Sequence, residues 1–176
     1  RTYSVTDACV NQILVTQEIT ILAVYPPIDA GPDAIVCDGD WATLVANNPW
    51  SMPISWNNSV VDGTPWLPAT TLTYTVTADN LGCLSTDDVI VTIEALPVVS
   101  FYADIMGGCA PISINFSSTS VGGSPLVDCD WTVDGSPITG DCTGATYLFQ
   151  SGGLFDIGLT TTSDNGCINS HFLYVM

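Results

Sequence analysis

Apolar residues alternate with polar ones along several short segments of the chain. Residues 73–78 read TYTVTA, residues 89–94 read VIVTIE and residues 112–117 read ISINFS. An alternation with period two buries one face of a β-strand and leaves the other face in solvent, as in the antiparallel sheets of a sandwich. Because no segment carries a sustained 3.6-residue period, the pattern predicts an all-β fold without substantial helix.

A strand that runs into a turn ending in cysteine occurs three times. The three versions are residues 3–9, 74–83 and 155–167, and their last residues are Cys9, Cys83 and Cys167. A second strand is predicted after each turn, at residues 17–24, 87–95 and 170–176. Matching openings that contain Cys37 and Cys109 precede the two later hairpins. The spacing indicates a repeated unit of roughly 70–85 residues.

This repeat divides the chain into three parts. Residues 1–24 contain only the closing hairpin, so they are predicted to be the last two strands of a truncated N-terminal unit. Residues 25–96 and 97–176 are predicted to form one β-sandwich each, in tandem. Prolines near residues 25–27 and 95–97 mark the connections, because proline stiffens a short linker and cannot donate to a β-ladder.

Charge and hydrophobicity exclude several classes of protein. The chain has 18 acidic residues, one Lys or Arg in total and a formal net charge of -17. Nucleic acid is excluded as a partner because its binding depends on basic side chains that neutralise phosphates. A hydrophobic content of 47% with 11% charged residues excludes a disordered chain. No apolar run reaches the ~20 residues of a membrane-spanning helix, so no span is expected in this segment.

The cysteines indicate the compartment. There are seven, without a Cys-x-x-Cys pair and with a single histidine in the chain. Zinc sites usually use closely spaced pairs of ligands, whereas isolated cysteines in a strand-rich chain favour disulfides. Disulfides persist in oxidising environments, so we expect an extracellular location, on the cell surface or secreted.

Two stretches of sequence resemble known repeats. Residues 32–97, with PDAIVCDGD at 32–40 and ISWNN at 54–58, resemble the immunoglobulin-like repeats of very large secreted bacterial surface proteins. Residues 98–176, with CAP at 109–111, NFS at 115–117 and DWTVDG at 130–135, resemble the PKD (polycystic-kidney-disease) domain. The resemblance implies tandem immunoglobulin-like and PKD-like sandwiches, in the context of Bacteroidota adhesins or gliding-associated proteins exported by type IX secretion.

Equivalent positions in the repeat suggest how the cysteines pair. The expected disulfides are Cys37–Cys83, Cys109–Cys167 and Cys129–Cys142. The first two are expected to pin loops at one pole of each unit, and the third to close a hairpin around residues 135–137. Cys9 is left unpaired here, because its partner is expected in the missing part of its unit; the alternative is a free thiol.

Candidates for catalysis and for a cofactor are few. His171 is the only histidine and begins an apolar strand, so we expect a structural role, no catalytic residue and no enzymatic activity. No cofactor is expected either. Calcium is the open alternative, because carboxylates at the junctions of extracellular repeats can bind it. The candidate ligands are Asp29, Asp33, Asp79, Asp87 and Asp88, although plain surface acidity is the favoured interpretation.

Tryptophans supply the remaining candidate site. Trp41, Trp50 and Trp66 are candidates for a platform that stacks sugars, whereas Trp56 and Trp131 are expected in the two cores.

The leading hypothesis is a non-enzymatic extracellular structural and adhesive segment, a disulfide-pinned stalk or filament. Its partners are neighbouring repeats of the same protein, with surface glycans or other copies as further candidates. The alternative is a carbohydrate-binding accessory module of a secreted hydrolase.

Overall fold

The computed structural model describes residues 2–18, 27–80 and 82–176, and these residues form thirteen β-strands and no helix. The predicted all-β fold of antiparallel sheets is therefore confirmed. Within these residues, no helix is long and apolar enough to cross a membrane.

The first two strands form a hairpin by themselves. β1 (Thr2–Thr6) pairs antiparallel with β2 (Gln12–Thr16), and every residue of both strands is exposed. The second strand was expected to start at residue 17, and this is wrong, because the strand that pairs with β1 starts at Gln12. Asp7 ends the first strand early, because its carboxylate accepts hydrogen bonds from the backbone N–H of Cys9 (2.8 Å) and Asn11 (2.9 Å) and closes a short turn. Residues 19–24 of that prediction lie outside the described residues.

A four-stranded sheet forms the frame of residues 27–96, which we call the middle unit. Its strands are β3 (Ala34–Cys37), β4 (Ile54–Trp56), β5 (Leu72–Asn80) and β6 (Cys83–Glu94), in the order β3-β6-β5-β4. All neighbours are antiparallel except β3, which runs parallel to the end of β6 and pairs Cys37 with Glu94.

The predicted alternation defines the core of the middle unit. Tyr74, Val76, Ala78, Val89 and Val91 are at most 3% exposed, on one face of the β5–β6 pair. Segments without long strands cover this face and are held by isolated bridges between Asp29 and Asn47 and between Ala42 and Trp66. Their buried residues include Ile28, Leu44, Met52 and Val60, and Trp56 of β4 belongs to the same core.

Two sheets form residues 97–176, which we call the C-terminal unit. One sheet contains β9 (Leu126–Val133), β10 (Ser136–Ile138), β12 (Phe155–Ser163) and β13 (Ile168–Val175), in the order β10-β9-β12-β13. The other contains β7 (Phe101–Ala103), β8 (Ile112–Ser118) and β11 (Gly144–Phe149), in the order β11-β8-β7. All of these strand pairs are antiparallel.

Trp131 lies at the centre of this second core. It is 1% exposed, its ring stacks on Phe116 at 6.0 Å, and Phe101 meets it edge-on at 5.0 Å. Its indole Nε1–H donates to the backbone oxygen of Asp141 at 2.9 Å, so the one polar atom of the ring is paired. Trp56, at 7% exposure, is in the other core, and both expected core tryptophans are thus buried.

The buried residues fall into two clusters, one drawn from residues 28–93 and one from residues 99–175. The boundaries at residues 24 and 96 themselves stay predictions.

The disulfides differ from expectation: Cys129–Cys142 is present, but Cys37 is bonded to Cys167, and Cys9, Cys83 and Cys109 carry free thiols.

The expected pairs Cys37–Cys83 and Cys109–Cys167 are wrong because their members lie at opposite poles. Cys37 is in register with Glu94 at the end of β6, whereas Cys83 begins that strand, eleven residues earlier. At about 3.3 Å per residue these positions are about 35 Å apart, and a disulfide requires Cα atoms about 4.4–6.8 Å apart. Cys109 likewise adjoins Met176, whereas Cys167 lies before β13 at the other end.

Candidate functional site

The Cys37–Cys167 bond joins two specific ends of the two units. In each unit we call the end where the chain enters the leading pole and the end where it leaves the trailing pole. Cys37 is at the trailing pole of the middle unit, beside Glu94, and Cys167 is in the β12–β13 turn at the leading pole of the C-terminal unit. Their Cα atoms are 5.5 Å apart and 130 residues separate them in sequence.

Glu94 is the charged residue at this junction. It is 8% exposed, and its carboxylate accepts a hydrogen bond from the hydroxyl of Ser124 in the C-terminal unit. This bond holds the pKa of Glu94 below its ordinary value of 4.5, against the opposing effect of burial and with smaller lowering contributions from Asn165 and Ser163. The ionised form of Glu94 is thus stabilised mainly by Ser124 of the next unit, while its second oxygen, Oε2, is buried without a hydrogen-bond partner among the described residues.

Two further contacts surround the disulfide. The side-chain amide of Asn169 donates to the backbone oxygen of Pro97 at 2.8 Å, which ties the linker to β13. The N–H of Asp38 donates to the backbone oxygen of Glu94 at 2.8 Å, which holds the residue after Cys37 against the end of β6. The junction therefore combines a covalent bond, a buried carboxylate and a tethered linker, an arrangement that resists bending and separation of the two units.

The acidic residues considered as calcium ligands have other partners. Four of them accept hydrogen bonds of 2.8–2.9 Å from backbone N–H groups: Asp29 from Gly31, Asp33 from Ile90, Asp79 from Gly82 and Asp87 from Ala30. Asp88 lies exposed on β6, opposite Thr75. Among the described residues no group of three or more His, Cys, Asp or Glu side chains is placed to hold a metal ion. The structure thus gives four of the five acids, Asp29, Asp33, Asp79 and Asp87, a role in holding the backbone around them.

The three candidate sugar-stacking tryptophans do not share one environment. Trp66 is partly buried against the core of the middle unit, where its ring meets Tyr74 edge-on at 5.3 Å. Trp41 and Trp50 are 69% and 59% exposed. Two of the three candidates therefore present surface to solvent, and Trp66 serves the core.

An open, polar groove lies on the C-terminal unit, away from the junction. Asn115, Asp141, Thr143 and Thr146 are among the residues that line it. Their side chains already bond one another, since Thr146 donates to Asn115 at 2.8 Å and Thr143 donates to Asp141 at 2.5 Å. The hydroxyl and the backbone N–H of Thr143 both donate to the carboxylate of Asp141, and these two hydrogen bonds lower the pKa of Asp141, the hydroxyl more strongly. These polar side chains of the groove thus already have hydrogen-bond partners within it.

His171 is placed as a surface residue of β13. Its side chain is exposed, and its ring meets Phe101 edge-on at 5.7 Å. This contact packs the outer strand against the core.

Sequence reasoning missed Glu94 and Ser124. Glu94 ends a strand whose alternation assigns it to the polar, exposed face together with Ile90 and Thr92. It is buried only because a second unit covers it, and nothing in the pattern of one strand signals that cover. Ser124 follows a Gly-Gly turn, where the sequence indicates no more than a loop.

Comparison with known proteins gives the fold. No family model and no curated protein matches the chain. Among solved structures, it is similar to the N-terminal eight Ig domains of Down Syndrome Cell Adhesion Molecule, with a TM-score of 0.57 and 16% identity over 95% of this chain and 29% of that chain.

Two bacterial structures also align with the chain. The fibronectin(III)-like modules of Clostridium thermocellum CbhA align with a TM-score of 0.47 and 15% identity, over 85% of this chain and 93% of that one. The PKD1 domain of the Vibrio cholerae metalloprotease PrtV aligns with a TM-score of 0.39 and 22% identity, over 46% of this chain and 94% of that one.

At these identities the comparisons speak to fold alone. The similarity to the tandem Ig domains, together with the observed sheets, identifies an immunoglobulin-like β-sandwich fold. Two disulfides are typical of an oxidising, extracellular setting. The fold and the bonds together fit an extracellular β-sandwich repeat.

Proposed function

We propose that the chain is a tension-bearing segment of a cell-surface or secreted protein, a stalk or filament of tandem β-sandwiches with an adhesive role. The observation that carries the proposal is the disulfide between Cys37 and Cys167, which links two units with separate cores. The resemblance to repeats of Bacteroidota adhesins and gliding-associated proteins supplies the surface context of the proposal.

The mechanism follows from the path that force takes through the chain. When the two ends are pulled, force enters at residue 1, crosses the disulfide from Cys37 to Cys167, and leaves at Met176. Residues 38–166 form a closed covalent loop beside this path, so they cannot be pulled out to their full length while the bond is intact. β3 and β13 lie on the loaded path itself, and a stalk built in this way can extend only to a limited length.

Single-molecule force spectroscopy of the 176-residue chain, held at its termini through peptide tags, tests this proposal. With the bond intact, only the residues before Cys37 and after Cys167 can extend, by about 150 Å at 3.3–3.6 Å per residue. After reduction, the same chain is expected to extend by about 600 Å. Extension of the oxidised chain to the full length would contradict the proposal.

A matched pair of variants separates the two disulfides. Cys37→Ser with Cys167→Ser is expected to release the full length without a reductant, except for the roughly 45 Å that the Cys129–Cys142 bond still encloses. Cys129→Ser with Cys142→Ser removes a bond that lies wholly inside the closed loop, so the oxidised variant is expected to keep the short extension. A long extension in both variants would show that the Cys37–Cys167 bond does not carry the load.

The second candidate function is that of a carbohydrate-binding module attached to a secreted hydrolase. It is favoured by the exposure of Trp41 and Trp50, whose flat rings are suited to stack on sugars. Titration of soluble polysaccharides while tryptophan fluorescence is recorded tests it. Saturable quenching that Trp41→Ala or Trp50→Ala abolishes would support this function, whereas unchanged fluorescence with all glycans would exclude it.

A further inference from the structure

Cys83 and Cys167 occupy the same place in their units. Each follows a glycine with a positive φ, Gly82 at 89° and Gly166 at 84°, in the turn that joins the last two strands. The chain enters the unit at this pole in both cases. The N–H of Ile28 bonds the hydroxyl of Ser85 at 3.1 Å in the middle unit, as Asn169 bonds Pro97 in the C-terminal unit. Both are leading-pole cysteines.

Cys37 and Cys109 share the opposite place. In the middle unit, the residue after Cys37 donates its N–H to the backbone oxygen of Glu94, which ends the last strand. In the C-terminal unit, Gly108 donates to the backbone oxygen of Met176 at 3.1 Å, and Met176 donates to Met106 at 2.9 Å. The opening segment thus runs beside the end of the closing strand in each unit. Both are trailing-pole cysteines.

A small shift separates the two trailing-pole positions. The hydrogen bonds around Met176 place Gly107 where Cys37 lies in the middle unit, and Cys109 is two residues further on. A Cβ atom at Gly107 would overlap the backbone oxygen of Met176, so a cysteine does not fit there without movement.

The observed bond therefore follows a rule: the trailing-pole cysteine of one unit bonds the leading-pole cysteine of the next. Applied to the other cysteines, this rule explains why three thiols are free and exposed in the chain. Cys109 is a trailing-pole cysteine, Cys83 is a leading-pole cysteine, and Cys9 lies in the turn of the β1–β2 hairpin, equivalent to the leading-pole turns. For each of these three cysteines, the rule requires a cysteine at the opposite pole of the unit before or after it, and neither of the other two is in that position.

We propose that Cys109 and Cys83 are attachment sites for further β-sandwich units of the same kind. Cys109 bonds the turn cysteine of a unit that follows, and Cys83 bonds the trailing-pole cysteine of a unit that precedes. This inference rests on the proposed function as a tandem array and adds its covalent partner. Every junction of the array is then locked as the Cys37–Cys167 junction is, and force passes from unit to unit through disulfides.

The chemistry of the bond is an exchange with a disulfide oxidant. A Cys109 thiolate attacks one sulfur of oxidised glutathione and releases one glutathione thiolate. The turn cysteine's thiolate then attacks the Cys109 sulfur of the mixed disulfide and releases the second. Two protein thiols lose two protons and two electrons, and one molecule of oxidised glutathione becomes two of the reduced form.

Bonds between like cysteines are disfavoured by the contacts that accompany the observed bond. At the existing junction, a trailing-pole carboxylate, Glu94, is bound by Ser124 of a leading pole, and the Pro97 linker is held by Asn169. Met176 stands beside Cys109 where Glu94 stands beside Cys37, so a junction at Cys109 lacks this carboxylate. Two trailing poles or two leading poles brought together also do not reproduce the approach of a strand end to a turn that the observed junction shows. The complementary pair is therefore expected to form selectively.

Copies of the 176-residue chain can serve as units for one another, so oxidation of the concentrated chain tests the rule. The chain is incubated with reduced and oxidised glutathione, and intermolecular disulfides are identified by nonreducing peptide mapping. Each copy offers one trailing-pole thiol, Cys109, and two turn thiols, Cys9 and Cys83. If exposure alone decides, links between Cys109 and a turn cysteine form about as often as links between two turn cysteines.

The proposal expects Cys109–Cys83 and Cys109–Cys9 links to exceed all like-with-like links by about tenfold, because docking of complementary poles raises the effective concentration of the thiols. Cys109→Ser is expected to remove these links and leave Cys37–Cys167 intact. Equal yields of all links, a majority of turn–turn links, or no intermolecular disulfide would overturn the proposal. None of these outcomes bears on the extension of a single oxidised chain, so the proposed function is tested separately.

Discussion

Cys37, at the trailing pole of the middle unit, is bonded to Cys167, at the leading pole of the C-terminal unit, across 130 residues of sequence. The bond encloses the whole linker at residues 95–97 within a covalent loop. Because Glu94 and Asn169 add noncovalent contacts beside it, the relative position of the two units is fixed by covalent and polar interactions together.

We expect the inter-unit disulfide to contribute more stability than the hairpin disulfide. The loop-entropy model gives about 5 kcal/mol for a closed loop of this length and about 3 kcal/mol for the 13-residue separation of Cys129 and Cys142. Urea unfolding of the two double Cys→Ser variants measures both contributions. A larger loss in the Cys129/Cys142 variant would contradict the expectation.

Loss of the inter-unit disulfide should also allow the two units to unfold at different temperatures. With Cys37 and Cys167 replaced by Ser, calorimetry is expected to resolve two transitions, since the cores at residues 28–93 and 99–175 are separate clusters. The variant without Cys129–Cys142 is the control, because it keeps the inter-unit bond.

The sequence correctly predicted which side chains of a strand face the core, but it did not predict the contacts between the two units. Alternation identified the inward residues Tyr74, Val76 and Val89, because the period of a strand is a local property. The equivalence of Cys37 with Cys109 and of Cys83 with Cys167 also came from the sequence. Their pairing did not, because repeat equivalence says which cysteines are alike and not which pole of one unit touches which pole of the next.

The free energy of unfolding should depend on Glu94 in a specific range of pH. The pKa of Glu94 is lower in the folded chain than its ordinary value of 4.5, mainly because Ser124 donates to the ionised carboxylate. Its contribution is therefore complete above pH 4.5 and is lost as the pH falls through the lower, folded pKa. Glu94→Gln is expected to be less stable than the parent chain at pH 7, and the difference is expected to shrink as the pH drops to about 3.

Urea unfolding at pH 7, 4.5 and 3 checks this expectation. Ser124→Ala removes the donor and is expected to show the same convergence at low pH. Asp88→Asn, which changes an exposed carboxylate on the same strand, is the control for the change in net charge. A difference between parent and Glu94→Gln that stays constant over this range would show that the junction does not favour the ionised form.

The core of the C-terminal unit should respond strongly to loss of its central ring. Trp131→Ala removes a ring that is 1% exposed and contacts Phe101 and Phe116, so we expect a loss of about 3–5 kcal/mol in the free energy of unfolding. Trp41→Ala is the matched control, since a tryptophan that is 69% exposed is expected to change this quantity by no more than about 0.5 kcal/mol. Similar losses in the two variants, measured by urea unfolding, would contradict the burial seen here.

The β1–β2 hairpin should be the least protected part of the described chain. Its two strands pair only with each other among the described residues, and Tyr3, Val5, Ile13 and Val15 are 47–62% exposed. A two-stranded sheet without a packed face is marginally stable in water, so its amide hydrogens are expected to exchange orders of magnitude faster than those of β5 and β12. Hydrogen exchange followed by mass spectrometry of the dilute chain measures this difference.

A second measurement distinguishes an intrinsically weak hairpin from one that lacks its neighbour. Asp7→Ala removes the carboxylate that accepts from Cys9 and Asn11, and it is expected to accelerate exchange within residues 2–16 while leaving β5 and β12 unchanged. At concentrations that favour association of copies, protection of residues 2–16 in the parent chain is expected to rise, because an exposed strand edge with apolar side chains recruits another strand. Uniform strong protection of these residues in the dilute monomer would show that the hairpin is stable alone and needs no neighbouring unit.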